Sequence, residues 1–66
     1  MKNSDKEKLE CGSLLKSKMT DCVVEFERWS GEGRFNFVGT VVDKGAGNKP
    51  KGYYAGNWST DVFEIK

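Results

Sequence analysis

The chain lacks histidine entirely and contains one proline and two cysteines among its 66 residues. Histidine is the usual base beside a serine or cysteine nucleophile, so its absence argues against a hydrolase of that kind. Cys11 and Cys22 do not have the spacing of a zinc-binding pair, and two thiols without histidine make too small a ligand set. We therefore predict a protein that is not an enzyme and that has no metal or other cofactor.

The chain also lacks a large excess of charge of either sign, and it lacks long apolar runs. The chain has 11 basic and 10 acidic residues, so it has no strong basic field for non-specific DNA binding. No apolar run approaches the roughly 20 residues of a membrane-spanning helix, and the first ten residues lack the apolar stretch of a signal peptide. We expect a cytoplasmic protein that does not bind membranes, with Cys11 and Cys22 as reduced, buried thiols.

The chain does contain eight aromatic residues, and its hydrophobic content is 36%. A chain this short buries only ~60% of its unfolded surface, and large rings supply much buried area per residue. We predict a flexible N-terminal segment, residues 1–8, followed by a single small domain, residues 9–66.

The N-terminal part allows two interpretations. Ser4 and Glu7 have the spacing of a capping box that opens a helix, and the apolar residues that would extend one face of that helix lie four apart: Cys11, Leu15 and Met19. Gly12 opposes this helix, because glycine costs ~1 kcal/mol in a helix interior. The alternative is a turn at Cys11-Gly12 and a short strand at residues 14–18.

Two central segments, in each of which apolar and polar residues alternate, predict a β-hairpin. Cys22, Val24 and Phe26 would share one face of the first strand, and Phe35, Phe37 and Val41 the same face of the second. A loop at Ser30–Gly33 would set the register. The predicted pairs are Trp29 with Arg34, Phe26 with Phe37, Val24 with Gly39, and Cys22 with Val41. Phe26 and Phe37 would then meet in the core, with Glu25 and Glu27 in solvent.

The remaining sequence predicts a glycine-rich loop and further strands. Residues 43–52 contain glycines, three lysines and the only proline, which is typical of a loop. Tyr53 and Tyr54 are adjacent, so in a strand they point to opposite faces. We predict a turn at residues 55–57, with Trp58 covering one end of the core, and a last strand at residues 61–65 with Phe63 and Ile65 on one face.

Three segments resemble small SH3-like β-barrel proteins of bacteriophages and prophages: residues 12–16 (GSLLK), 37–42 (FVGTVV) and 52–64 (GYYAGNWSTDVFE). The resemblance covers about residues 9–66, with Gly52, Trp58 and Phe63 at the positions typical of that ending. It implies an all-β (mainly β) fold, a small SH3-like barrel of four to five antiparallel strands with or without a short N-terminal helix. It also implies a phage origin, and it assigns no activity.

Our first functional hypothesis is a small non-enzymatic binding module, encoded by a phage, that binds and modulates a host or phage protein. Apolar and aromatic residues expected on the outer face and near the barrel end would form the partner site: Val23, Trp29, Val38, Val42, Tyr54 and Trp58. A competing interpretation is that Leu9, Leu14 or Leu15 folds over this face and buries it. We expect a monomer or a weak homodimer.

The second hypothesis is a nucleic-acid-binding barrel. Aromatic rings beside a basic loop suit base stacking and phosphate contacts, and the residues proposed for this role are Lys44, Lys49, Lys51, Tyr53 and Tyr54. Carboxylates distributed through the strands would oppose a phosphate backbone.

Overall fold

One short helix and five antiparallel strands make up the part of the chain that the computed structural model describes, residues 1–31 and 33–66. Their bounds are α1 (Asn3–Lys6), β1 (Leu14–Ser17), β2 (Val23–Trp29), β3 (Phe37–Asp43), β4 (Tyr54–Trp58) and β5 (Phe63–Ile65). A 3-10 turn, Thr60–Val62, lies between β4 and β5. The prediction of a mainly β fold with four to five antiparallel strands is confirmed.

The five strands form one sheet in the order β4-β3-β2-β1-β5. Strands β1 to β4 follow one another as neighbours, and β5 returns to pair with β1, placing Phe63 opposite Ser17. In the tight connection between β1 and β2, the Ser17 Oγ accepts hydrogen bonds from the backbone N–H groups of Met19 and Thr20. Hydroxyl groups that bond the backbone two or three residues on favour such turns.

The strand interpretation of the N-terminal part is confirmed, and the long helix is wrong. Gly12 has a φ of 98°, a left-handed conformation that suits glycine in a turn and not in a helix. The helix ends at Lys6, and its N-cap residue, Lys2, makes no side-chain capping bond. Ser4 lies inside the helix, so the predicted capping box is not formed.

The sheet is strongly curved. In a flat five-stranded sheet, β4 and β5 would lie ~19 Å apart, since neighbouring strands are spaced ~4.8 Å apart. Instead, the rings of Trp58 at the end of β4 and Phe63 at the start of β5 are 5.9 Å apart, centroid to centroid. The two edges of the sheet therefore approach each other at this end.

The core fills the concave side of this sheet. As predicted, alternate residues of the central strands are buried there, and so is Phe63 of the last strand. The Phe26 and Phe37 rings are in contact, with their centroids 5.5 Å apart. The core cluster consists of Leu15, Cys22, Val24, Phe26, Phe37, Val41 and Phe63. Glu25 and Glu27 are exposed, as predicted.

The register of the central hairpin differs from the prediction. Trp29 pairs with Phe37 and Phe26 with Gly39, and the register shifts between Phe26 and Arg28, as at a β-bulge. Strand β3 begins only at Phe37, later than predicted. The predicted loop at residues 30–33 includes position 32, which lies outside the described residues.

Phe35 is not a core residue, contrary to the prediction. It precedes β3 and its side chain is 62% exposed. The cause lies at the next residue, since the Asn36 N–H donates to the Trp58 carbonyl and the Asn36 side chain bonds Thr60. These contacts fix Asn36 in the interior, and Phe35 projects into solvent.

One prediction for the C-terminal part of the chain is also wrong. Residues 55–57 are not a turn, because β4 runs through them with Ala55 paired to Gly39. The chain turns later, at Thr60–Val62, where the Ser59 Oγ accepts a hydrogen bond from the Asp61 N–H. In β5, Phe63 is buried, but Ile65 is 40% exposed at the sheet edge.

Gly39 of β3 has no room for a side chain against β2. A Cβ atom at this position would lie 2.6 Å from both the Glu25 carbonyl oxygen and the Val24 Cγ1. The first of these neighbours is backbone within a sheet and cannot move aside. A glycine at the centre of β3 is therefore a steric requirement of this fold.

We predict that Phe37→Ala leaves the chain largely unfolded. Truncating a fully buried phenylalanine costs ~3–5 kcal/mol, which is comparable to the whole stability of a small domain. Phe35→Ala removes the same atoms from an exposed position two residues away and should change stability by under about 0.5 kcal/mol. Urea melts followed by circular dichroism measure both, and a larger loss for Phe35→Ala would contradict the described orientation.

Gly39→Ala should destabilise the protein by ~1–3 kcal/mol, as overpacking of a filled site does. The matched control is Gly56→Ala in β4, where the added methyl group would meet Val38 Cγ2 at an ordinary contact distance of 3.5 Å. Thermal melts of the two variants give the comparison. Equal stabilities would show that the approach at Gly39 is not tight.

Candidate binding cleft

An open cleft of about 710 Å³ lies where the two edges of the sheet approach each other. The 3-10 turn, the ends of β4 and β5 and parts of three loops line it. We call it the Trp58 cleft and define it by the six residues that carry its chemistry: Arg34, Phe35, Lys49, Trp58, Asp61 and Phe63. Its size falls within the range of sites that bind small molecules or single side chains of a partner.

Trp58 forms one wall of this cleft. Its indole Nε1 donates a hydrogen bond to the Gly39 carbonyl over 3.0 Å, which fixes the ring against β3. Tyr53 and Phe63 pack edge-on against it, with centroids at 6.1 and 5.9 Å. Trp58 is half-buried, so part of a rigid aromatic ring remains accessible to solvent. This position agrees with the prediction that Trp58 covers one end of the core.

A buried pair of side chains positions the 3-10 turn beside the cleft. The Asn36 Nδ2 donates to the Thr60 Oγ1 over 3.0 Å, and the Thr60 N–H donates to the Asn36 Oδ1 over 3.2 Å. Thr60 is fully buried and Asn36 is 9% exposed. These two hydrogen bonds hold the start of β3 against the turn. They therefore fix the position of Asp61 relative to Phe35.

Phe35 and Arg34 line the cleft from the loop before β3. The Arg34 Nε lies 4.0 Å from the Asp61 Oδ2, and both side chains are largely exposed. An ion pair this long and exposed contributes little energy. The loop therefore presents an unpacked phenyl ring and a guanidinium group that retains most of its hydrogen-bonding capacity.

Lys49 contributes a second cation to the cleft. Its Nζ lies over the Tyr53 ring, 4.9 Å from the centroid, in cation–π geometry. Lys44 and Lys51 belong to the same loop and are exposed, but they do not line the cleft. Of the five residues proposed for nucleic-acid binding, the structure thus brings Lys49 and Tyr53 together beside Trp58.

Tyr54 points to the opposite side of the sheet from Tyr53, as predicted for adjacent strand residues. Its hydroxyl donates to the Glu27 Oε2 over 3.0 Å and accepts from the Arg28 Nη1 at 3.4 Å. The Tyr54 hydroxyl and the Glu27 carboxylate raise the pKa of Arg28. Tyr53 and Tyr54 therefore do not form a common stacking platform.

The apolar patch predicted on the outer face is not formed. Val23 and Val38 are 5% and 3% exposed, so their predicted exposure is wrong. Trp29 is 41% exposed, but it packs edge-on against Phe26 at 5.2 Å because the bulge in β2 turns it toward the core side. Val42 is half-buried.

Leu9 and Leu15 do not cover the outer face either. Leu15 belongs to the core cluster, and Leu9 packs against that cluster. Leu14 is 38% exposed. The proposed partner residues are therefore dispersed, and only Trp58 lies in the cleft.

Sequence reasoning missed Arg34, Phe35 and Asp61 as cleft residues. The alternation of Phe35 with Phe37 is indistinguishable from that of a core strand, so no local pattern places Phe35 outside. Arg34 and Asp61 are far apart in the sequence. Only the fold brings them together.

The two cysteines differ in environment. Cys22 is 6% exposed and lines the cleft, whereas Cys11 is exposed, so the expectation that both are buried is wrong for Cys11. Burial, and secondarily the charge of Asp43, raises the pKa of the Cys22 thiol. The Cys22 thiol therefore keeps its proton at neutral pH.

No protein-family model, curated protein or solved structure matches this chain. Within residues 1–31 and 33–66, no helix is long and apolar enough to cross a membrane. The same ranges contain no cluster of three or more side chains suited to hold a metal ion.

We predict that a maleimide reagent modifies Cys11 rapidly and Cys22 only on unfolding.

The raised pKa of Cys22 makes the stability of the fold depend on pH. Its contribution to stability is complete below the ordinary thiol pKa of 9.0 and is lost as pH rises through the folded-state value. Wild type and Cys11→Ala should lose more stability than Cys22→Ala between about pH 8 and about pH 10. Urea melts at both pH values test this, and an identical loss in Cys22→Ala would contradict it.

Proposed function

We propose that this chain is a small non-enzymatic binding module that holds a segment of a protein partner in the Trp58 cleft. The observation that carries the proposal is the aromatic surface of this cleft. Phe35 is 62% exposed beside the fixed, half-buried ring of Trp58. Rigid aromatic side chains at a concave surface are typical of residues that dominate the energy of protein interfaces.

The thin core gives further support. Each large ring left in solvent forgoes roughly 1.5–3 kcal/mol of burial energy, and a chain of this size has little stability to spare. Phe35 nevertheless stands outside the core, although it is only two residues from the fully buried Phe37. A contact with a partner would bury the Phe35 ring and recover that energy.

The proposal retains the resemblance to small SH3-like barrel proteins of phages. Four consecutive strands followed by a fifth that returns to the first, and edges that approach at Trp58 and Phe63, support this assignment. A phage origin and a cytoplasmic location remain predictions. In that setting, the module would act by occupying a surface of a host or phage protein.

The geometry supports nucleic-acid binding less well. Lys49 covers one face of Tyr53, and Tyr54 is hydrogen-bonded to Glu27 on the other side of the sheet. We therefore treat nucleic-acid binding as an alternative outcome of the test.

Affinity pull-down from bacterial lysate, with and without nuclease, tests the proposal. We expect wild type to retain a protein that resists nuclease treatment. Phe35→Ala should lose it, because the exposed phenyl ring would be a main contact. The control is Met19→Ala, which removes another exposed apolar side chain, 78% accessible, outside the cleft. Retention of nuclease-sensitive material alone, or equal capture by Phe35→Ala, would overturn the proposal.

A further inference from the structure

We infer that the segment bound in the Trp58 cleft is an acidic peptide that places one large apolar side chain between carboxylates. This inference rests on the proposed function and specifies the chemistry of its partner. It follows from an apolar floor, two cations beside it and the positive charge of the loop at residues 44–53.

The floor and walls of the cleft accept an apolar side chain. Phe63 and Cys22 are buried, Val62 is half-buried, and Phe35 and Trp58 also line the cleft. An aromatic or long aliphatic side chain inserted here would lose its water and contact these apolar residues. This burial provides the non-directional part of the binding energy.

Two cations and one carboxylate border this apolar centre. Lys49 has no carboxylate oxygen within 4.0 Å in the described part of the chain, and its Nζ is held over Tyr53. Among residues 1–31 and 33–66, Arg34 has one carboxylate contact, the long and exposed one with Asp61. A peptide carboxylate could therefore pair with either cation without breaking a strong existing bond, and a guanidinium group favours a two-point contact with it.

Four basic side chains outside the cleft have carboxylate neighbours. The ion pairs outside the cleft are Lys8 with Asp5, Lys16 with Asp21, Lys18 with Glu64, and Arg28 with Glu27. Among residues 1–31 and 33–66, Lys44, Lys49 and Lys51 form no ion pair, and neither do Lys2, Lys6 and Lys66. What distinguishes the loop at residues 44–53 is that it contains three lysines and no acidic residue. The loop that borders the cleft thus carries uncompensated positive charge, which selects an acidic partner and speeds its association.

A titration followed by ¹⁵N–¹H NMR tests this inference with defined probes. The first peptide is acetyl-Gly-Ser-Asp-Phe-Asp-Ser-Gly-amide. The second replaces both aspartates with lysine, the third replaces the phenylalanine with alanine, and a short oligothymidylate is the fourth probe. We expect the first peptide to shift the amide signals of Phe35, Gly47, Asn57 and Asp61. Both altered peptides should bind at least about fivefold more weakly at low salt.

A pair of charge variants tests the role of the loop. Lys49→Gln should weaken binding of the acidic peptide about threefold or more. Lys66→Gln removes the same charge outside the cleft and should leave the affinity unchanged. Higher ionic strength should reduce the difference between wild type and Lys49→Gln, because exposed charges are screened.

Three results would overturn the inference: no shifts at the cleft, equal or tighter binding of the lysine peptide, or preferential binding of the oligothymidylate. The first two results, together with a Phe35-dependent pull-down, would show that the partner class is wrong and that the binding function stands. If the pull-down does not depend on Phe35, the proposed function itself fails. The two failures are therefore distinguishable.

Discussion

The close approach of two backbones at Gly39 is the constraint on which the rest of this structure depends. The Glu25 carbonyl oxygen and the Val24 side chain occupy the space that a Cβ atom would need. Their proximity brings β2 tightly against β3 in the middle of the sheet. The carbonyl of the same glycine accepts the hydrogen bond of the Trp58 indole. One residue without a side chain thus allows both the packing of the central strands and the placement of the aromatic wall of the cleft.

A second constraint is the pair of buried hydrogen bonds between Asn36 and Thr60. Removing polar groups from water is unfavourable unless they find partners, and here the Asn36 side-chain amide bonds both the hydroxyl and the backbone N–H of Thr60. In the described residues, no buried side-chain nitrogen or oxygen lacks a hydrogen-bond partner. The pair joins the start of β3 to the turn before β5. It therefore sets the distance across the cleft and forces Phe35 into solvent.

The two faces of the sheet differ in how far their polar groups are already satisfied. On the outer face, Tyr54, Glu27 and Arg28 bond one another and leave little unmet capacity. On the side of the cleft, the Lys49 Nζ lies over the Tyr53 ring and forms no ion pair among residues 1–31 and 33–66. Phe35 is 62% exposed there. Binding energy is available where contacts are incomplete, and this difference is why we propose the cleft as the site of partner binding.

Local patterns of the sequence determined the central and last strands, the glycine-rich loop and most of the buried face, because alternation with a period of two records which side chains point inward. They also predicted that Tyr53 and Tyr54 would diverge. Only the tertiary structure decided the register of the hairpin, the burial of Val23 and Val38 and the exposure of Phe35. The register depends on a bulge in β2, and the exposure of Phe35 depends on the hydrogen bonds between Asn36 and Thr60, 24 residues apart. Contacts of that kind leave no local pattern, so the cleft that they create was not predictable from the sequence alone.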